Sequence, residues 1–248
     1  MRTLLLVLCA SAPLLAHAEP KALTVLAASS LAEPLRASAA AFEKANPGAK
    51  VNVSAAATGV LAKQLQAGAP CDVFIGAARE QVDALVANGL LAAPVRIARN
   101  RLVVAAPATS KAKLSGLGDL AHPEFRRIAL GQPKLVPAGD YAREALTKLG
   151  LLEVLGPKLV YGGNVTQVLT YLRSGDVDAG FVYASDLHRA HGEAKVLLAI
   201  PDDLHAPIVY PAAVATHGAN RALAAAYIAF LRGPDGLRAL ASAGFAPP

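Results

Sequence analysis

The chain of 248 residues contains no tryptophan, one methionine and two cysteines, and aromatic side chains make up only 5% of it. Charged residues are also scarce, at 17%, whereas hydrophobic residues reach 54%. This composition is typical of a globular chain and not of a disordered one. The formal net charge is +6, but the lysines and arginines are scattered and form no basic run. We therefore predict that the protein does not bind nucleic acid.

A long apolar run occurs only at the N-terminus. "MRTLLLVLCASAPLLAHAEP" combines a positive start, an apolar stretch and small residues at Ala16 and Ala18. That pattern is typical of a cleaved secretory signal, and the apolar stretch is shorter than the ~20 residues that span a bilayer. We predict that residues 1–18 are removed and that the mature protein is soluble in the periplasm.

Cysteine is too scarce to hold this fold together. Cys9 would leave with the signal, and Cys71 alone cannot form an internal disulfide. Cys71 follows Pro70 at the start of a predicted strand. We expect a small buried side chain there and not a reactive thiol.

Common catalytic motifs are absent as well. The chain has no G-x-S-x-G elbow, no H-E-x-x-H helix, no paired cysteines and no nucleotide-binding loop. We predict that it is not an enzyme. A serine hydrolase built on Ser30 and a distant histidine is a weaker alternative. His188 and His191 could share a helix face and bind a metal, but no carboxylate or cysteine pattern supports that site.

What the sequence does contain is a regular alternation of strand and helix patterns, which predicts sheets covered by helices on both faces. The first series predicts strands at 22–28, 50–56 and 71–77 and helices at 31–48, 59–68 and 79–89. The second series predicts strands at 127–133, 158–163 and 177–184 and helices at 139–150 and 164–175.

Two extended apolar segments, 100–107 and 206–216, are long enough to cross between two such units. The last helices, from 220 to 243, would then rejoin the first unit. We predict two α/β lobes, one formed by 19–102 plus 211–248 and the other by 103–210. Ligands of such sheets collect at the carboxyl ends of the strands, so the cleft between the lobes is the expected site.

Small and neutral polar residues stand where several helices begin. In "SSLAE", Ser30 and Glu33 fit a capping box, in which the serine satisfies a backbone N–H. A helix N-terminus and its hydroxyls can also bind an anion. Thr58 and Ala138 occupy similar positions, and none of these helix starts contributes a lysine or arginine. Their recurrence suggests an anion cage of helix ends and hydroxyls.

Several motifs in the chain resemble those of the periplasmic molybdate-binding proteins of ABC transporters. The resemblance implies a two-lobed periplasmic-binding-protein fold of type II, in which each lobe is a mainly parallel sheet flanked by helices and two crossing segments join the lobes. The motifs are "VLAASSL", "GVLAKQLQAGAPCDVFIGA", "NRLVVAAP", "GQPKLVPAGDYAREALTKLG", "DVDAGFVYASD" and "YPAAV".

The resemblance also implies a set of ligand-binding residues. Ser30 and Thr58 align with two hydroxyl positions of the first lobe, although the family commonly has serine where this chain has Thr58. Ala138 and Val165 align with backbone amide donors, and Tyr183 aligns with a tyrosine hydroxyl. The same five residues would hold the metal of molybdate, through its oxygens. The role of Ser29, where many relatives have alanine, is left open.

The function implied is capture of molybdate, and of the similarly sized tungstate, with no further cofactor. The lobes would close on the anion, and a monomeric protein would deliver it to a membrane permease that works with a cytoplasmic ATPase. Other cargoes of the same fold are alternatives. Sulfate has the same charge and shape, and a ferric site would use paired tyrosines such as Tyr161 and Tyr183.

Overall fold

The computed structural model describes residues 21–248, and the predicted signal peptide at 1–18 lies outside them. Two five-stranded sheets form the framework, and helices flank both. The strands are β1 (Lys21–Ala28), β2 (Ala49–Ala56), β3 (Val73–Ile75), β4 (Val95–Arg99), β5 (Leu102–Pro107), β6 (Ile128–Gly131), β7 (Leu159–Gly162), β8 (Ala179–Tyr183), β9 (Ala194–Ala199) and β10 (Val209–Val214). The helices are α1 (Ala32–Ala45), α2 (Thr58–Gln66), α3 (Arg79–Ala87), α4 (Pro137–Lys148), α5 (Leu152–Leu155), α6 (Val165–Ser174), α7 (Arg221–Arg232) and α8 (Pro234–Ser242).

The two sheets have equivalent topologies, with strand orders β2-β1-β3-β10-β4 and β7-β6-β8-β5-β9. In the first sheet β1 pairs in parallel with β2 and β3, and β10 runs antiparallel to β3 and β4. In the second sheet β6 pairs in parallel with β7 and β8, and β5 runs antiparallel to β8 and β9. Four strands of each sheet therefore point in one direction. The predicted two-lobed α/β fold with mainly parallel sheets is confirmed.

The chain passes between the sheets at two places. The first passage is Asn100–Arg101, between β4 and β5, and the second is 200–208, between β9 and β10. Leu102 thus belongs to the second sheet, and residues 209–210 belong to the first. The lobe boundaries at 102/103 and 210/211 stay a prediction. That the two lobes move as separate bodies stays a prediction.

Two strands were not predicted from the sequence, and both lie at sheet edges. β4 and β9 are the outermost strands next to β10 and β5. β4 carries Arg96 and Arg99, and β9 exposes Lys195 and Val196. An edge strand is not covered on all sides, so it lacks the continuous apolar run that identifies a central parallel strand.

Direct contacts close the gap between the lobes. The Gly59 N–H donates to the Leu135 carbonyl oxygen at 2.9 Å, and the Tyr141 hydroxyl donates to the Ala77 carbonyl oxygen at 3.2 Å. A Cβ atom at Gly59 would lie 2.9 Å from the Leu135 backbone, so α2 approaches the second lobe as closely as glycine allows. The lobes are therefore in a closed arrangement.

Packing and not covalent linkage holds the first lobe together around Cys71. This thiol is 8% exposed, and burial raises its pKa to about 12. The predicted buried position is confirmed. Among the residues described, helices of the length and hydrophobicity needed to cross a membrane are absent.

Candidate functional site

A small cavity lies between the two sheets, where the parallel strands end. It brings together all five predicted site residues, Ser30, Thr58, Ala138, Val165 and Tyr183, and its volume accessible to water is only about 10 Å³. None of the five is more than 3% exposed. The complete lining is Ala28, Ser29, Ser30, Ala56, Ala57, Thr58, Ala77, Val136, Pro137, Ala138, Val165 and Tyr183.

The lining contains no lysine, arginine, histidine, aspartate or glutamate. A larger cleft of about 910 Å³ lies elsewhere between the lobes, and charged side chains such as Arg79, Glu80, Asp140 and Glu144 line it. The small cavity therefore differs from the rest of the interface between the lobes in being neutral, and its polar groups are hydroxyls and backbone amides.

Ser30 lies in a 3₁₀ turn, Ser29–Leu31, between β1 and α1. This turn places the start of α1 one residue later than predicted, and no side chain caps either helical segment. The capping-box interpretation of Ser30 and Glu33 is therefore wrong. The Ser30 Oγ lies instead 3.1 Å from the Tyr210 hydroxyl oxygen, and both groups are buried. Ser29, whose role the sequence leaves open, also lines the cavity.

Thr58 is the first residue of α2 and is fully buried. Its Oγ1 accepts a hydrogen bond of 3.1 Å from the Ala77 N–H, just beyond the end of β3. Because the oxygen is already an acceptor, the hydroxyl hydrogen is available to donate into the cavity. The serine-to-threonine departure thus keeps the donor that the resemblance implied.

Ala138 and Val165 stand in the first turns of α4 and α6. N–H groups in a first turn have no acceptor within their own helix, and the helix dipole adds partial positive charge there. The cap of α6 comes from Asn164, whose Oδ1 accepts from the Gln167 N–H at 2.9 Å. That cap leaves the Val165 N–H free to serve an anion in the cavity.

Tyr183 ends β8, and its buried hydroxyl has no hydrogen-bond partner. Burial raises the pKa of this phenol well above its usual value, so the hydroxyl stays protonated. The Tyr183 N–H donates to the Asp186 carboxylate at 2.9 Å, and Asp186 also pairs with Arg189. Asp186 is engaged there and does not line the cavity, and it does not accept from the Tyr183 hydroxyl.

The alternative site residues do not join this cavity. Tyr161 is 46% exposed and is not among the lining residues, so it does not pair with Tyr183. His188 and His191 belong to no group of three or more potential metal-ligating side chains within residues 21–248. Asn100 and Tyr210, which sequence reasoning missed, lie directly behind Ser30. The motif "YPAAV" contains Tyr210 but gives no sign of a partner 180 residues away.

Comparison with known proteins gives the family. Residues 23–246 match the model of the bacterial extracellular solute-binding proteins. The chain belongs to this family. This solute-binding protein is 35% identical to the molybdate-binding protein ModA of Escherichia coli over 236 residues, which cover 93% of this chain and 91% of that one. The resemblance found in the motifs is confirmed.

Solved structures agree with the fold of this solute-binding protein. The periplasmic molybdate-binding protein of Azotobacter vinelandii superposes with a TM-score of 0.82 at 27% identity, covering 91% of this chain and 99% of that one. The sulfate-binding protein SubI of Mycobacterium tuberculosis gives a TM-score of 0.80 at 16% identity, covering 92% and 87%. At that identity SubI supports the shared fold alone.

Proposed function

We propose that this solute-binding protein captures molybdate, and tungstate, in the small cavity between its lobes. Ser30, Thr58 and Tyr183 would donate through their hydroxyls, and Ala138 and Val165 through their backbone N–H groups. The observation that carries the proposal is the buried, protonated Tyr183 hydroxyl without a partner in a cavity lined by neutral donors. Buried polar groups nearly always have partners, so this phenol calls for an acceptor.

The chemistry of molybdate fits these donors. It is a tetrahedral dianion whose oxygens only accept hydrogen bonds, and each charge-assisted bond contributes about 1.5–3 kcal/mol. Hydrogen phosphate carries a proton and needs an acceptor, but no carboxylate lines the cavity, and Asp186 is engaged by the Tyr183 N–H and Arg189. The cage would therefore favour oxyanions without protons. The molybdate-binding relatives support the cargo, and the donor set supports the class of anion.

Sulfate is the principal competing cargo because it matches molybdate in charge and shape but is smaller. The fold is shared with a sulfate-binding protein, so the fold does not distinguish the two anions. The hydrolase alternative has less support. A nucleophilic Ser30 would need a base at its Oγ, and the group there is the Tyr210 phenol, whose pKa burial raises above its usual value.

Delivery to a transporter is the second part of the proposal. The closed lobes would present a combined surface to a membrane permease, and a separate ATPase would drive release. Hinged closure is the usual motion of periplasmic binding proteins. We further propose that the protein acts as a monomer outside the cytoplasm and catalyses no reaction itself.

Isothermal titration calorimetry tests the cargo directly. The full chain would be expressed with its own leader and purified from the periplasm, and mass spectrometry would then check for cleavage after Ala18. We expect strong binding of molybdate and tungstate and much weaker binding of sulfate and phosphate. Binding of sulfate alone, or of no oxyanion, would contradict the proposal. Ester hydrolysis that Ser30→Ala abolishes would favour the hydrolase instead.

A further inference from the structure

Asn100 occupies the first passage between the lobes, and its side-chain amide has a defined orientation. Its Oδ1 lies 2.9 Å from the Arg101 N–H and 3.4 Å from the Ser185 N–H. A backbone N–H can only donate, so this end of the amide must be the oxygen. The Nδ2 end therefore faces the Ser185 Oγ at 2.8 Å and the Tyr210 hydroxyl oxygen at 3.2 Å.

This orientation decides which way the next hydrogen bond runs. An amide nitrogen only donates, so the Tyr210 oxygen accepts from Asn100. The Tyr210 hydrogen then goes to its other neighbour, the Ser30 Oγ at 3.1 Å. Tyr210 is fully buried, so water does not offer its hydroxyl an alternative partner.

The consequence reaches the cavity through Ser30. Its oxygen accepts from Tyr210, so its own hydrogen is left to point at a ligand. Thr58 is held in the same way by the Ala77 N–H. The hydroxyl oxygens of Ser30 and Thr58 thus each accept a hydrogen bond from the protein, and each hydroxyl hydrogen is left to donate to the ligand.

We propose that Asn100 and Tyr210 form a relay of positioning residues that fixes Ser30 as a hydrogen-bond donor, and that this relay helps to reject oxyanions that carry a proton. The inference rests on the proposed function. With the relay intact, Ser30 offers a hydrogen to a bare oxygen of the anion. Without it, the Ser30 hydroxyl rotates freely, and its oxygen can accept a hydrogen bond from the protonated oxygen of hydrogen phosphate.

Tyr210→Phe is the first test, because it removes the relay without adding charge. We would measure the dissociation constants of molybdate and, by competition, of phosphate at pH 8, where phosphate still carries one proton. The ratio of the phosphate constant to the molybdate constant should fall by about tenfold, the equivalent of one hydrogen bond. Tyr227→Phe is the matched control. Tyr227 is also buried and bonds to a serine, Ser38, but Ser38 does not line the cavity.

Asn100→Asp is the second test. The carboxylate keeps the two backbone N–H donors but accepts from Tyr210, so the relay runs backwards and Ser30 donates away from the ligand. The ratio should fall at least as far as in Tyr210→Phe. In the Tyr210→Phe background the same aspartate should change the ratio no further, whereas an effect of charge alone would persist there.

The outcomes separate the two claims. If the unmodified protein binds molybdate but Tyr210→Phe has the same ratio of phosphate to molybdate dissociation constants as the unmodified protein, the relay is overturned and the proposed function stands. If the ratio of the phosphate constant to the molybdate constant fell as far in Tyr227→Phe as in Tyr210→Phe, the relay would also be overturned. A general loss of packing would then explain both results. If the unmodified protein binds no oxyanion, the proposed function fails and the relay fails with it. Thermal melts would show whether each variant folds, and either variant alone tests the relay.

Discussion

At the scale of single residues, the candidate site depends on hydrogen atoms pointing into a cavity that has no charge of its own. The hydroxyl of Tyr183 is buried and has no hydrogen-bond partner in the protein, so a bound ligand is needed to satisfy it. Thr58 and Ser30 differ from it in having partners behind them. The three hydroxyls should therefore respond differently to removal.

Tyr183→Phe should weaken molybdate binding without destabilising the unliganded protein. The change removes one charge-assisted hydrogen bond, which corresponds to roughly 10- to 150-fold in the dissociation constant. It leaves no new unsatisfied group, since the lost hydroxyl had no partner. Calorimetry gives the affinity and a thermal melt of the unliganded protein gives the stability. An unchanged affinity would place the ligand away from Tyr183.

The donor role of Thr58 can be tested with two substitutions at this position, one that keeps the hydroxyl and one that removes it. Thr58→Ser keeps the hydroxyl and should bind molybdate within a few-fold of the unmodified protein. Thr58→Val keeps the shape but leaves the Ala77 N–H without an acceptor, so it should lose both affinity and about 1–3 kcal/mol of stability. Chemical denaturation and calorimetry measure the two effects. Equal affinities in the two variants would exclude a donor role for Thr58.

At the scale of elements, the alternation of strands and helices could be predicted because each central strand is a short apolar run that ends in small residues. The gathering of Ser30, Thr58, Ala138, Val165 and Tyr183 followed from the resemblance. The edge strands β4 and β9 could not be found by apolar content, since half of each faces solvent. The sequence also suggested a cap for Ser30, because local spacing cannot reveal a partner as distant as Tyr210.

The start of α2 offers a test of how closely the lobes must approach. Gly59→Ala places a Cβ 2.9 Å from the Leu135 backbone, which cannot retreat as a flexible side chain would. We expect the closed form to be disfavoured and molybdate to bind at least about tenfold more weakly. The unliganded protein should be no less stable, because alanine is favoured over glycine in helices by about 1 kcal/mol.

Calorimetry and small-angle scattering would follow the Gly59→Ala variant. Scattering should show less compaction on addition of molybdate than in the unmodified protein. Gly118→Ala is the control, because a Cβ there meets nothing within 4 Å. If Gly59→Ala closes and binds normally, the contact with Leu135 does not limit closure.

At the scale of the whole molecule, buried phenols link stability to pH. Burial raises the pKa of Tyr183, Tyr210 and Tyr227 above 10, and that of Tyr227 to about 12. In the unfolded chain these tyrosines lose their protons near pH 10. The stability that their burial provides is therefore complete below pH 10 and is lost as the pH rises above it.

The free energy of unfolding should be flat up to about pH 10 with respect to these tyrosines and should then fall. Between pH 10 and 12 the free energy of unfolding of Tyr227→Phe should fall less steeply than that of the unmodified protein, by about 1.4 kcal/mol per pH unit, because one buried phenol no longer contributes. Urea unfolding at a series of pH values measures both profiles. Parallel profiles would mean that Tyr227 ionises as readily in the folded protein as in the unfolded chain.

The solitary thiol of residues 21–248 also has a practical use. Cys71 is enclosed and protonated at neutral pH, so maleimide dyes should react with it slowly. A cysteine introduced at the exposed Thr170, on the rim that α6 shares with Arg36 of the opposite lobe, would take up such a dye selectively. The fluorescence of a dye at that position would then report closure of the lobes. The labelled protein would serve as a reagentless sensor for its own cargo.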